Sequence, residues 1–112
     1  MNARPLLALL VVLPLTASRL AGQASTPKDL YDKSCKKCHG VVGNPPKSMR
    51  ERYPKIATFD SAFIAKHTED SIVTILTKGK GEDMKSFKGK LSAPEMVIVA
   101  KYVHELATRP RP

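Results

Sequence analysis

The sequence is short of the side chains that usually build a small core. It has no tryptophan, three phenylalanines, three tyrosines and only two cysteines in 112 residues. It contains no internal repeat and no hairpin signal. Its length allows one domain at most. No apolar run is long enough for an ordinary membrane span: 14 residues separate Arg4 from Arg19, against about 20 for a bilayer crossing. Acidic residues are scarce too, 10 against 19 basic, a formal net charge of +9. With two cysteines only, one paired use leaves no thiol for anything else.

The first stretch is read as processed rather than folded. Met1 to Arg4 carries positive charge, and Leu6 to Leu15 is apolar with Pro14 as its only break. Gly22-Gln23-Ala24 then offers the small residues that a signal peptidase reads. Residues 1–24 are expected to be a signal peptide cleaved after Ala24, with an uncleaved anchor helix as the alternative. No cysteine follows the apolar run, which argues against a lipoprotein anchor. Cleavage leaves 88 residues with 17 basic and 10 acidic side chains, a net charge of +7. Such an excess steers a protein towards anionic partners. Export argues against nucleic acid and leaves an acidic protein surface or an anionic membrane face. The expected location is the periplasm.

Both cysteines stand in one motif, Cys35-Lys36-Lys37-Cys38-His39-Gly40. Two thiols three positions apart can each add to a vinyl group of a porphyrin, and the adjacent imidazole then meets the iron from one face. This spacing reads as a site for covalent haem c. The rest of the composition agrees. A domain of 88 residues buries too little apolar surface to be comfortably stable without a staple. A haem would give Tyr31, Tyr53, Phe59, Phe63, Phe87 and Tyr102 a flat apolar surface to pack on.

The pattern along the chain is helical. Thr26 caps a helix with Pro27 at its first position and Asp29 near the positive end of its dipole; this helix leads into the haem motif. Gly40, Gly43, Asn44, Pro45 and Pro46 make a loop. Residues 58–67 read as a short helix begun by Thr58 or Asp60. Thr68-Glu69-Asp70 starts another, with Ile72, Val73, Ile75 and Leu76 inward and Gly79 at its end. The β-branched residues there could suit a strand, but the cap and the i, i+3, i+4 spacing favour helix. Gly79 to Asp83 is a turn-rich loop. Ser92 and Glu95 form a capping box before a last helix with Met96, Val99, Ala100, Val103 and Leu106 on one face. The fold class is all-α, with about four to five short helices around one haem. Residues 25–107 form the domain, and Thr108-Arg109-Pro110-Arg111-Pro112 is a flexible tail.

The second axial ligand decides the chemistry. A thioether there favours ferrous iron and closes the site to outside ligands. Met49 lies only ten residues after His39, a short reach to the opposite haem face. Met96 sits on the apolar face of the last helix, where packing suffices. His67 and His104 read as solvated histidines near helix ends. Met84, in a polar glycine-hinged loop with no local core to fill, is the expected distal ligand.

The order of these features resembles that of class I cytochromes c of the small bacterial type over nearly all of residues 26–107. The resemblance rests on Leu30-Tyr31 before the Cys35 to Gly40 motif, on Gly81-Glu82-Asp83-Met84-Lys85-Ser86-Phe87, and on the closing helix with Tyr102-Val103. It implies a fold in which the first and last helices cross over one haem. Cys35 and Cys38 would carry the thioethers, His39 the proximal position and Met84 the distal one. It also implies that a proline carbonyl after the motif accepts a hydrogen bond from the proximal imidazole, with Pro45 or Pro46 as candidates.

The function expected is outer-sphere electron transfer by a soluble carrier and not catalysis. Lys36, Lys37, Lys80, Lys85, Lys88 and Lys90 would ring the exposed haem edge and face acidic docking surfaces on redox partners. Transient contact with membrane-bound respiratory complexes fits the same charge, and the protein is expected to be a monomer. The alternatives are a haem-bearing subunit of a larger oxidoreductase and a haem enzyme or ligand-binding protein with an open distal site. Zinc would want a fourth ligand, and a dithiol redox motif would want a β-α-β setting; the sequence offers neither.

Overall fold

The computed structural model describes residue 1, residues 11–13 and residues 24–111. The expected signal peptide therefore lies almost entirely outside the described residues. Six helices and no strand are found among them: α1 (Pro27–Ser34), α2 (Lys36–His39), α3 (Lys47–Arg52), α4 (Ser61–Lys66), α5 (Glu69–Lys78) and α6 (Ala93–Thr108). The fold is all-α. None of these helices is long and apolar enough to cross a membrane.

Local chemistry explains most helix boundaries. Thr26 and Asp29 form a reciprocal capping box at α1, and Ser92 and Glu95 form another at α6. Each box satisfies two backbone donors that a helix start leaves without partners. Asp60 caps α4 and Thr68 caps α5, while Gly79 ends α5.

Around α6 the core assembles. Its residues Met96, Val99, Ala100, Tyr102, Val103, Leu106 and Ala107 are buried, together with Leu30, Tyr31 and Cys35, with Ile72 and Leu76 of α5, and with Phe59 and Leu91 from connecting segments. The helix packs against α1, α4 and α5. Tyr31 and Val99 are both 0% exposed, and the Tyr31 and Tyr102 rings meet with centroids 5.3 Å apart. Withdrawing a large apolar side chain fully from water contributes about 1.5–3 kcal/mol, so the packing of α6 against α5 and α1 anchors the fold.

Two differences from the sequence expectation concern the number of helices. The break at Cys35, whose φ is −127° and ψ −36°, divides the haem-motif helix into α1 and α2. The short α3 stands where no helix was expected. It has no side-chain cap and no buried residue, so it offers neither periodicity nor a start signal to read. One tie is the Arg50 guanidinium, which donates to Pro45 O at 2.6 Å. The tail also makes contacts. Arg109 lies 3.9 Å from Glu105 and above the Tyr102 ring, and Arg111 donates to the Phe59 carbonyl.

Candidate haem site

The two thiols are set by the junction of α1 and α2. The Cys35 N–H closes α1 on Tyr31 O at 2.8 Å, and its carbonyl accepts from Cys38 N–H at 3.2 Å and His39 N–H at 3.0 Å. One helical turn thus brings residues 35 and 38 to the same side. Both thiols are free, Cys35 buried and Cys38 half-buried. Gly40 follows at φ +81°, where a Cβ would lie 2.0 Å from Asn44 O; only glycine lets the chain turn back so tightly. The buried Tyr31 hydroxyl donates to Gly40 O at 2.7 Å, tying the end of the motif to the α1–α6 core.

His39 Nδ1 lies 3.1 Å from Ala57 O. A carbonyl can only accept, so the proton sits on Nδ1 and the lone pair on Nε2 is left for a metal. This corrects the expectation that Pro45 or Pro46 is the acceptor. The Pro45 carbonyl is occupied by Arg50, and that of Pro46 accepts from Met49 N–H and Arg50 N–H at the start of α3. Formation of α3 uses both prolines locally, and the loop beyond it supplies the acceptor. Burial pushes the His39 imidazole below its ordinary range, partly offset by the Ala57 bond. Burial thus favours the neutral imidazole, the form that ligates.

Cys35, His39 and Met84 line one cleft, whose walls are Ala57, Phe59, Phe63, Ile72, Ile75, Leu76, Val99 and Val103, with Lys80 as the charged residue among the lining. The His39 ring stacks on Phe59 at 4.5 Å, and Phe59 meets Phe63 at 5.0 Å. Met84 is half-buried against the core. The other candidate ligands lie elsewhere. Met96 is buried inside α6 with the Thr77 hydroxyl 3.5 Å from its sulfur, and Met49 is half-buried on α3. His67 stacks on Phe63 at 4.4 Å without lining the cleft. His104 is half-buried on α6.

These residues fit a haem. The Cys35 thiol, an imidazole held by a carbonyl and a thioether from a separate segment line nearly apolar walls; Cys38, half-buried one turn beyond Cys35, does not itself line the cleft. They fit other uses of cysteine poorly. Burial and the neighbouring Cys38 push the Cys35 thiol up to about 12, whereas dithiol exchange needs a readily formed thiolate. Among the described residues no three His, Cys, Asp or Glu side chains are grouped for a metal ion.

A family model described as cytochrome C oxidase, cbb3-type, subunit III matches residues 22–103. The chain belongs to this family of c-type cytochromes. Its likeness to solved structures is consistent with that. The solved structure of the KustC0563 c-type cytochrome is 29% identical with a TM-score of 0.66, covering 75% of this chain and 100% of that one. That of a mutant of Kustc0563 is 29% identical with a TM-score of 0.64, over 73% and 99%. No curated protein matches the chain. As a c-type cytochrome it carries covalently bound haem c and is an electron carrier, not an enzyme.

Three contributors escaped the sequence reading. The Ala57 carbonyl, the Tyr31 hydroxyl bond to Gly40 and the Arg50 bond to Pro45 all end on backbone oxygens. Every residue has one, so side-chain pattern carries no signal for them. The single available hint was Leu30-Tyr31 itself, a tyrosine on a buried face needing a partner for its hydroxyl.

Proposed function

We propose that the protein is an exported single-haem electron carrier with Cys35 and Cys38 as the thioether residues, His39 as proximal ligand and Met84 as distal ligand. One observation carries this reading: among five candidate distal side chains, Met84 alone shares a cleft with Cys35 and His39. Haem, when bound, supplies a one-electron step between Fe(III) and Fe(II). The protein's residues do the rest. Ala57 orients the imidazole and raises its basicity. The apolar walls exclude water, and a thioether on the distal side favours the reduced state. With His39 and Met84 both held by the fold, little of the protein would have to move as the haem gained or lost an electron.

Docking follows from charge. Lys36, Lys37, Lys80, Lys85, Lys88 and Lys90 are all exposed, and none forms an ion pair among the described residues. They suit an acidic surface on a redox partner, including one on a membrane-bound respiratory complex. Transfer rates to an acidic partner should fall as ionic strength rises; a rate indifferent to salt would remove the lysines from the docking role.

Intact mass of periplasmic material tests the reading. The expected mass is that of residues 25–112 plus one haem. Retention of residues 1–24 would contradict cleavage, and a haem-free mass would contradict covalent attachment.

A second reading has one observation in its favour, the description of the matching family as an oxidase subunit. In that case the chain would be held in a larger complex. Size exclusion of native extract separates the two: a carrier elutes at the size of one small domain, a subunit with its complex.

A further inference from the structure

The loop that carries Met84 folds back onto the end of α5. The last carbonyls of a helix have no intrahelical partners, and here the returning loop takes two of them. Phe87 N–H donates to Leu76 O at 2.8 Å, and the Ser86 hydroxyl donates to Thr77 O at 2.6 Å. The Ser86 oxygen also accepts from Lys88 N–H at 3.2 Å, so one side chain joins the helix end to both halves of the turn. Gly79 permits the approach: at φ +76°, a Cβ there would stand 2.7 Å from Ser86 N and 2.9 Å from Met84 O. The other side of the loop is held more thinly. Lys80 N–H donates to Met84 O at 2.8 Å, while residues 80–83 are exposed and Gly81 has nothing within 4 Å of a built Cβ.

We propose that Ser86 is a positioning residue, a latch that keeps the Met84 side chain in the cleft. The inference rests on the reading of Met84 as distal ligand. Ser86 acts through the backbone of residues 84–87, by holding that segment against α5. Without the hydroxyl, Thr77 O loses its partner, Lys88 N–H loses its acceptor, and the loop opens more often. Each opening gives an outside ligand access to the distal position.

Imidazole titration of the ferric holoprotein, followed by loss of the weak far-red band of methionine–iron ligation, tests this. Ser86→Ala should bind imidazole at least about fivefold more tightly than wild type, the worth of one of the two hydrogen bonds it loses. Ser86→Thr, which keeps the hydroxyl, should stay close to wild type. In a Met84→Ala background, Ser86→Ala should change nothing, because there is no sulfur left to hold. Equal affinity in wild type and Ser86→Ala, with the band present in both, overturns the latch alone. The same gain in the Met84→Ala background also overturns it, since that marks general loosening. A wild-type protein without the band overturns the Met84 reading and the latch together. Native-state hydrogen exchange gives an answer without a variant. The Phe87 and Lys88 amides should exchange faster once imidazole has displaced Met84, and unchanged protection contradicts the latch.

Discussion

Where α1 meets α6, aromatic and aliphatic side chains are fully buried and both helix starts are capped. Where the Met84 loop meets α5, the side chains are half-buried and the fastening is a set of hydrogen bonds to a helix end. The first region is a packing arrangement with few alternatives, because a dense core does not deform by degrees. The second is fastened chiefly by hydrogen bonds, with Met84 and Phe87 only partly buried against the core, the character of a segment of lower local stability. The cleft is thus held more firmly on the side of Cys35 and His39 than on the side of Met84.

The comparison is broken most severely by a core truncation. Leu106 is 2% exposed, and Leu106→Ala should cost about 2–5 kcal/mol in urea unfolding of the holoprotein. The far-red band should persist in the fraction that stays folded. Loss of the band before unfolding would mean the two regions are not separable.

Gly79→Ala should have a smaller effect on stability and a larger one on the site. Gly79 has φ +76° and ψ 174°, a conformation closed to side chains at a cost of about 1–3 kcal/mol. The added methyl would also press on the Met84 to Ser86 backbone. The band should weaken while far-UV circular dichroism stays near wild type. A band of full intensity would show that the loop is held by other contacts.

The smallest effect is acid sensitivity of the caps. Hydrogen bonds from Thr26 hold Asp29 below its ordinary value of 3.8, and those from Ser92 hold Glu95 below 4.5. A carboxylate depressed in the folded state binds fewer protons there than in the unfolded chain. Its contribution is present above the unfolded value and lost as pH falls through the folded one. The urea midpoint should therefore decline from about pH 4.5 downward, and Asp29→Asn with Glu95→Gln should flatten that slope. Asp29 is exposed and Glu95 only partly covered, so the change will be slight and will shrink with salt.

The two regions also differ in how legible they were. The boxes Thr26-Asp29 and Ser92-Glu95, the apolar stripe of α6 and the glycine after α5 are side-chain signals, and the helices they mark stand where the sequence placed them. The haem motif was legible because its chemistry requires named side chains at fixed spacing. What the sequence did not carry was the backbone's part. Pro45 and Pro46 looked like partners for His39, yet α3 takes both carbonyls and Ala57 receives the imidazole. Ser86 drew no reading of its own beyond its place in the Gly81 to Phe87 segment, because its partner, Thr77 O, is known only once α5 ends where it does. Polar contacts to backbone depend on where the chain returns, and no residue type announces that.

His39 and Met84 line one cleft, and we propose that they ligate the same haem iron. The ferric absorption spectrum of the wild-type holoprotein beside that of Met84→Ala tests it most directly. The wild type should show a low-spin spectrum with the weak far-red band, and Met84→Ala should lose the band while keeping covalent haem. A high-spin wild type, or a band that survives Met84→Ala, would contradict it.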